Sequence, residues 1–218
     1  MRIAFVVFDL DGTLVDSKRD LADAANALIV ELGGRALAED AIAEMVGEGA
    51  ALLVRRALTR AKLDPESSDA LPRFLALYDE RLLRNTVLYT GMREVLSSLA
   101  EHLPLAVLTN KPGDASERIL DALGVRARFR DVIGGDTGFG RKPDPTGLRE
   151  LITRAGASPE TTLLVGDSRI DLDTARSAGT RICLARYGFG YRFEPGDFRG
   201  DELFIDTPSE LPAIIRQP

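Results

Sequence analysis

Residues 3–8, Ile-Ala-Phe-Val-Val-Phe, form an unbroken apolar run that stops at Asp9-Leu10-Asp11-Gly12-Thr13. A run this short, β-branched and aromatic, reads as a strand buried on both faces of a parallel sheet. Such a strand obliges the rest of the chain to supply helices for both of its sides. In open α/β sheets ligands sit outside the carboxyl ends of the strands, which is where Asp9 and Asp11 stand. Being two apart, they project to the same side if strand geometry persists past Phe8. Paired carboxylates repel unless a cation or a shared proton intervenes, and a hard divalent cation such as Mg²⁺ takes oxygen ligands. Gly12 lets the chain turn and lets a ligand approach its backbone. In isolation, Asp-x-Asp-Gly is also an ordinary turn, so the remaining sequence has to decide.

The sequence that follows supplies the helices. Residues 16–32 read as a helix, with Ser17 as N-cap, apolar Leu21, Ala24, Ala25, Leu28 and Leu32 at helical spacing, and a stop at Gly33-Gly34. Further helices are expected over 38–45, 50–62 and 64–84, the last broken or kinked at Pro72. Nothing from residue 17 to 84 has a strand pattern, so this block reads as a helical subdomain inserted after the first strand. From residue 90 the two periodicities alternate. Helices are expected over 91–101, 111–123, 144–155, 168–178 and 208–215, and strands over 104–109, 129–133, 161–165, 181–185 and 203–205. That alternation implies right-handed βαβ crossovers and a parallel sheet. Residues 187–201 read as an irregular surface loop. The expected class is α/β, a Rossmann-like three-layer α/β/α core from residues 1–15 and 85–218, with 16–84 as an inserted helical cap.

Composition excludes several functions. A net charge of −6 and a pI near 5.0 argue against a nucleic-acid binder, which usually carries a basic stripe. No apolar run is long enough to span a bilayer, and the early strand leaves no signal-peptide layout. The one cysteine, Cys183, excludes an internal disulfide framework and suits a reducing cytoplasm. It sits in an apolar strand and reads as an inert core thiol. The one histidine, His102, precedes Leu103-Pro104 at a helix end, where a structural role is expected. A His-rich metal site is impossible.

Polar clusters recur where apolar strands end. Asp9 and Asp11 follow the first, Thr109-Asn110-Lys111 follows Leu105–Leu108, Arg141-Lys142-Pro143-Asp144 comes after the 129–133 strand, and Gly166-Asp167-Ser168-Arg169-Ile170-Asp171 follows Leu163–Val165. Each alone would be a cap or a solvated turn. In parallel strands all four lie along one sheet edge and suit one task. Asp9, Asp11, Asp167 and Asp171 are candidates to gather around one Mg²⁺. Thr109 offers a hydroxyl donor and Lys142 a fixed positive charge. Backbone N–H groups at 10–12 offer an anion-binding nest. Together these describe phosphoryl transfer.

On these residues the chain resembles the haloacid dehalogenase superfamily of aspartate-dependent phosphatases, and within it the phosphoglycolate phosphatase-like branch. Asp9-Leu10-Asp11-Gly12-Thr13 matches the first family motif, Thr109 the second, Lys142 the third, and Gly166-Asp167 with Asp171 the fourth. The resemblance implies a C1-type helical cap and a Mg²⁺-dependent phosphomonoester hydrolase. Asp9 would be the nucleophile that forms an aspartyl-phosphate, and Asp11 the general acid and then base. Asp9, Asp167 and the backbone carbonyl of Asp11 would hold the metal, with Asp171 orienting its surroundings and Lys142. Thr109 and Asn110 would bind phosphoryl oxygens, with Gly12 and Thr13 beside them. Dehalogenases lack the second aspartate of the first motif, so Asp11 argues against that chemistry. Thr13 favours a phosphatase over a sugar phosphomutase. In the cap, Gly47-Glu48-Gly49 is expected to form a loop that enters the site on closure. Arg55 or Arg56 is a candidate to meet a substrate anion. The expected partner is a small phosphorylated metabolite, 2-phosphoglycolate first, handled by a monomer or homodimer without nucleic acid or membrane. The alternatives are a sugar-phosphate phosphatase or phosphomutase, a pyrophosphatase, and a non-catalytic binding protein on the same fold.

Overall fold

The computed structural model describes residues 2–216. The opening run becomes β1 (Phe5–Phe8), buried at every position. A short β2 (Val15–Asp16) leads into helices α1 (Lys18–Glu31), α2 (Glu39–Ala43), α3 (Ala50–Arg60) and α4 (Ala70–Asp79). The chain returns through β3 (Val87–Leu88), then α5 (Met92–Ala100), β4 (Leu105–Leu108), α6 (Gly113–Ala122) and β5 (Asp131–Ile133). It closes with α7 (Thr146–Ala155), β6 (Thr162–Gly166), α8 (Arg169–Ala178), β7 (Arg181–Ala185), β8 (Leu203–Ile205) and α9 (Leu211–Ile215).

The main sheet is six-stranded and parallel, in the order β5-β4-β1-β6-β7-β8. Strand periodicity divides its side chains between two layers. Val6 and Phe8 of β1 join Leu96, Leu120 and Leu211 from α5, α6 and α9 on one face. Phe5 and Val7 join Leu148, Leu151 and Leu172 from α7 and α8 on the other. This is the three-layer α/β/α arrangement. The chain runs outward from β1 through β4 to β5, then crosses back to β6 on the other side of β1. The carboxyl end of β1 is therefore the switch point where such sheets open a crevice.

Two features depart from the sequence reading. The segment of 64–84 is helical only over Ala70–Asp79, so Pro72 falls in the first turn, where its missing N–H breaks no bond. The connections to the helical block pair with each other: β2 and β3 form an antiparallel ribbon with Val15 opposite Leu88. Asp20, fully buried in α1, fastens the return strand. Its carboxylate accepts the N–H of Asn85 at 3.0 Å and both the N–H and the hydroxyl of Thr86, at 2.8 and 2.7 Å. These donors outweigh the burial of Asp20 and hold its carboxyl below the usual range. Cys183 is buried in β7 with its thiol pushed up to about 12 by burial, which suits an inert core residue. Among the described residues no helix is long and apolar enough to cross a membrane.

Candidate active site

The strand ends deliver their polar residues to one place. Asp9 donates its N–H to the Val165 carbonyl at 2.9 Å, so the sheet register carries one residue past β1 and fixes the start of its side chain. Lys142, 5% exposed, lies between two carboxylates, 2.7 Å from Asp9 Oδ1 and 2.6 Å from Asp171 Oδ1. Asp171 opens α8, and its other oxygen accepts the N–H and hydroxyl of Ser168 at 3.0 and 2.6 Å, a reciprocal helix cap. Both Asp171 oxygens are thus engaged, one by the lysine and one by the helix. Asp167, directly after β6, accepts the Gly190 N–H at 2.7 Å and the Thr13 hydroxyl at 3.3 Å.

Asp9, Asp167 and Asp171 each offer an oxygen such that all lie within 4.8 Å of one another. One buried lysine faces these carboxylates, and the electrostatics follow. Burial first, then the charges of Asp171 and Asp11, push the Asp9 carboxyl up to about 7 against the pull of Lys142. Burial, then Asp171 and Asp9, raise Asp167 well above the carboxylate range. Burial pulls Lys142 down, but Asp171 and Asp9 outweigh it and hold its ammonium above the usual value. A buried, all-oxygen cluster that raises its own carboxyls in the absence of a cation fits a hard divalent ion such as Mg²⁺.

Asp11 goes elsewhere. The strand stops at Phe8, so the alternation expected to align it with Asp9 does not persist, and its side chain lies outside the three-carboxylate group. Both its oxygens accept from Lys111 Nζ at 2.8 Å, and one also accepts the Ser17 hydroxyl at 2.5 Å. Asp9, Asp11, Thr109 and Asn110 nonetheless line one pocket, roofed by residues of the helical block. The Thr109 hydroxyl accepts the Lys111 N–H at 3.2 Å, which leaves its own proton to donate. The Asn110 side chain donates to the carbonyls of Gly47 at 2.9 Å and Lys142 at 2.8 Å, tying the helical block to the lysine's backbone.

Other expected residues are placed differently. Gly12 donates its own N–H to Val15 across the turn and so takes no part in a nest. With φ +89° it packs under Asp167, and a Cβ there would overlap that carboxylate. Thr13 is fully buried and supports Asp167 rather than facing the pocket. Gly47 and Gly49 line the pocket. Glu48 instead pairs with Arg56 at 2.5 Å. Arg55 is 63% exposed at its side chain and pairs with Glu66 at 2.9 Å. The reason is helical phase. Leu53, Val54, Ala57 and Leu58 take the buried face of α3, which turns Arg55 and Arg56 outward.

Three further contributors carry little signal in the sequence. Lys111 was legible as part of the polar cluster after β4 but carried no assigned role. Tyr78, from α4, lines the pocket and had no signal beyond amphipathic spacing. The segment read as surface loop folds over the carboxylates: beyond the Gly190 contact, Tyr187 donates its hydroxyl to the Thr13 carbonyl at 2.9 Å, and a Cβ on Gly188 would overlap Asp167.

The chain is similar to known proteins. The haloacid dehalogenase-like hydrolase family model matches residues 6–185. A phosphoglycolate phosphatase of Photobacterium profundum is 35% identical over 98% of this chain and 96% of its own length. Another, of Rhodospirillum rubrum, is 41% identical over 84% of this chain and 80% of its own. The crystal structure of a predicted phosphoglycolate phosphatase from Haemophilus somnus 129pt superposes with a TM-score of 0.90 at 31% identity, covering 99% of both chains.

Proposed function

The chain belongs to the haloacid dehalogenase-like hydrolase family and is a phosphatase, and from that premise we propose that it is a Mg²⁺-dependent phosphomonoester hydrolase working through Asp9, with 2-phosphoglycolate as its substrate. The observation that carries the chemistry is the cluster at the carboxyl ends of β1 and β6. There the Asp9 carboxylate, held by Lys142 at 2.7 Å, faces a pocket and shares an oxygen-lined space with Asp167 and Asp171. The substrate rests on the names of the relatives and on the small size of the pocket.

Asp9 and Asp167 would hold the cation. Asp171, whose oxygens serve Lys142 and Ser168, would position the lysine. The cation would supply positive charge that offsets the repulsion between an anionic phosphate and an anionic nucleophile. In the first half of the reaction an Asp9 oxygen bonds to phosphorus as the bond to the leaving oxygen breaks. Protonated Asp11 donates its proton to that alkoxide, and an aspartyl-phosphate remains. In the second half Asp11, as carboxylate, takes a proton from water. The water attacks phosphorus, the acyl-phosphate bond breaks, and Asp9 is restored with release of phosphate. Ser17 and Lys111 hold the ionised Asp11 at the pocket wall, and in the protonated form one of its oxygens leaves Lys111 to donate. The Thr109 hydroxyl donates to a phosphoryl oxygen, and Lys142 neutralises charge that builds on the transferring group. We take residues 16–84 as a cap over a core of 1–15 and 85–218, with Gly47 and Gly49 as its contact with the pocket.

The test is phosphate release from 2-phosphoglycolate with Mg²⁺ and with EDTA, using wild type and Asp9→Asn. Release that needs Mg²⁺ and Asp9 is the expected result. Release that persists in EDTA, or in Asp9→Asn, would refute the mechanism. Release from other phosphomonoesters but not from 2-phosphoglycolate would refute the substrate alone.

A further inference from the structure

Phosphoryl transfer leaves the Tyr78 hydroxyl without a task and uses Lys111 only to hold Asp11. Tyr78 is 4% exposed, and its buried hydroxyl makes no well-formed hydrogen bond, although the Lys111 ammonium lies close by. Its ring stacks on Phe74 at 6.0 Å between centroids, which fixes the direction of the hydroxyl. Burial pushes that hydroxyl up to about 12, so it remains a donor at neutral pH. Lys111 Nζ lies 4.7 Å from the centre of the same ring. An ammonium has three N–H donors, and Asp11 occupies two. A buried hydroxyl without a well-formed hydrogen bond is costly and uncommon. Both groups line the pocket that holds Asp9 and Asp11.

Position decides what they face. On the reading above, Asp9 marks the phosphorus and Asp11 marks the leaving oxygen. Lys111 is bonded to Asp11, and Tyr78 adjoins Lys111, so both stand beside the leaving group rather than the phosphoryl group. The remaining wall is apolar, with Leu21, Leu53 and Phe74, and the cavity is only ≈ 50 Å³. That wall offers nothing to the hydroxyls of a sugar, and the volume suits a few heavy atoms. A cation and a neutral O–H donor side by side in a small apolar space recognise a carboxylate.

We infer that Tyr78 and Lys111 are specificity residues that bind the carboxylate of the leaving alcohol. The inference rests on the phosphatase reading of the same site. Tyr78→Phe removes only the hydroxyl, and since that oxygen makes no well-formed hydrogen bond the melting temperature should hold or rise. The assay compares kcat/KM for 2-phosphoglycolate with that for 2-hydroxyethyl phosphate, in which a neutral CH₂OH replaces the carboxylate. Wild type should prefer the glycolate ester, and Tyr78→Phe should lower that preference about 10- to 100-fold, the worth of a hydrogen bond to a charged group. Lys111→Gln should lower it too, because any effect through Asp11 falls equally on both esters and cancels in the ratio. Wild type with no preference between the esters, or a preference unchanged in both variants, would overturn the inference and leave the phosphatase reading standing. Wild type that releases phosphate from no monoester would overturn both.

Discussion

Asp9→Asn should end turnover and at the same time make the cation-free protein more stable. The Asp9 carboxyl is pushed from 3.8 to about 7, by burial first and by Asp171 and Asp11 after it, against Lys142. A folded-state value above the unfolded one means that folding favours the proton. The stability is fully present below 3.8 and is lost as pH rises through about 7. The gap of about 3 pH units, at about 1.4 kcal/mol each, places a penalty of up to about 4 kcal/mol on the ionised form. Asparagine cannot ionise, though it gives up its charge pair with Lys142, so a net gain of about 2–4 kcal/mol is expected at pH 8. In a chain of this size about 1 kcal/mol moves the melting temperature about 2–4 °C, which predicts a rise of roughly 5–15 °C. At pH 5 the ionised form is less populated in the fold and the gain should shrink to about 1–2 kcal/mol. Thermal unfolding followed by circular dichroism in EDTA, at both pH values, reads this out beside phosphate release. A variant that melts below wild type at pH 8, or a difference that is the same at pH 5, would refute the reasoning. The expected opposition of stability and activity is what the proposed role of Asp9, buried and crowded by charge, implies.

Glu202→Gln should cost about 2–3 kcal/mol at pH 7. Burial raises Glu202, but the N–H groups of Arg199 and Gly200 and the Arg176 guanidinium outweigh it and hold the carboxyl at about 2, so its stability is present above 4.5 and lost as pH falls toward 2. Urea unfolding at pH 7 and pH 3 should show the difference between variant and wild type shrinking at the lower pH. Gly12→Ala should displace the Asp167 carboxylate that its Cβ would overlap, and strain a backbone at φ +89°. Its melting temperature should not rise on addition of Mg²⁺, whereas that of wild type should. Asp20→Ala strands the buried N–H and hydroxyl of Thr86 and should cost roughly 3 kcal/mol by denaturant unfolding.

The α/β alternation was legible because it is local. Each expected strand after residue 90 is found within about two residues of its limits, since period 2 and period 3.6 are written in neighbouring side chains. The ribbon of β2 and β3 was not legible, because Val15-Asp16 and Val87-Leu88 are two-residue strands, too short for a period. The loop of 187–201 was misread in part for a similar reason. Its glycines at 188 and 190 look like surface punctuation until Asp167 is placed against them.

Local side-chain patterns were enough to specify the sheet, its helices, and the meeting of Asp9, Thr109, Lys142 and Asp167 at one edge, because parallel strands must all end on the same side. Which charge faces which was settled by packing. Lys142 went to Asp9 and Asp171, Lys111 to Asp11, and Arg55 to Glu66 and the solvent. Those pairings depend on how segments far apart in sequence cross, 100 residues in the case of Lys111 and Asp11. They depend also on the helical phase that points Tyr78 inward and Arg55 outward. Periodicity fixes which face of an element is buried, but a charge or hydroxyl finds its partner only when another element is packed against that face.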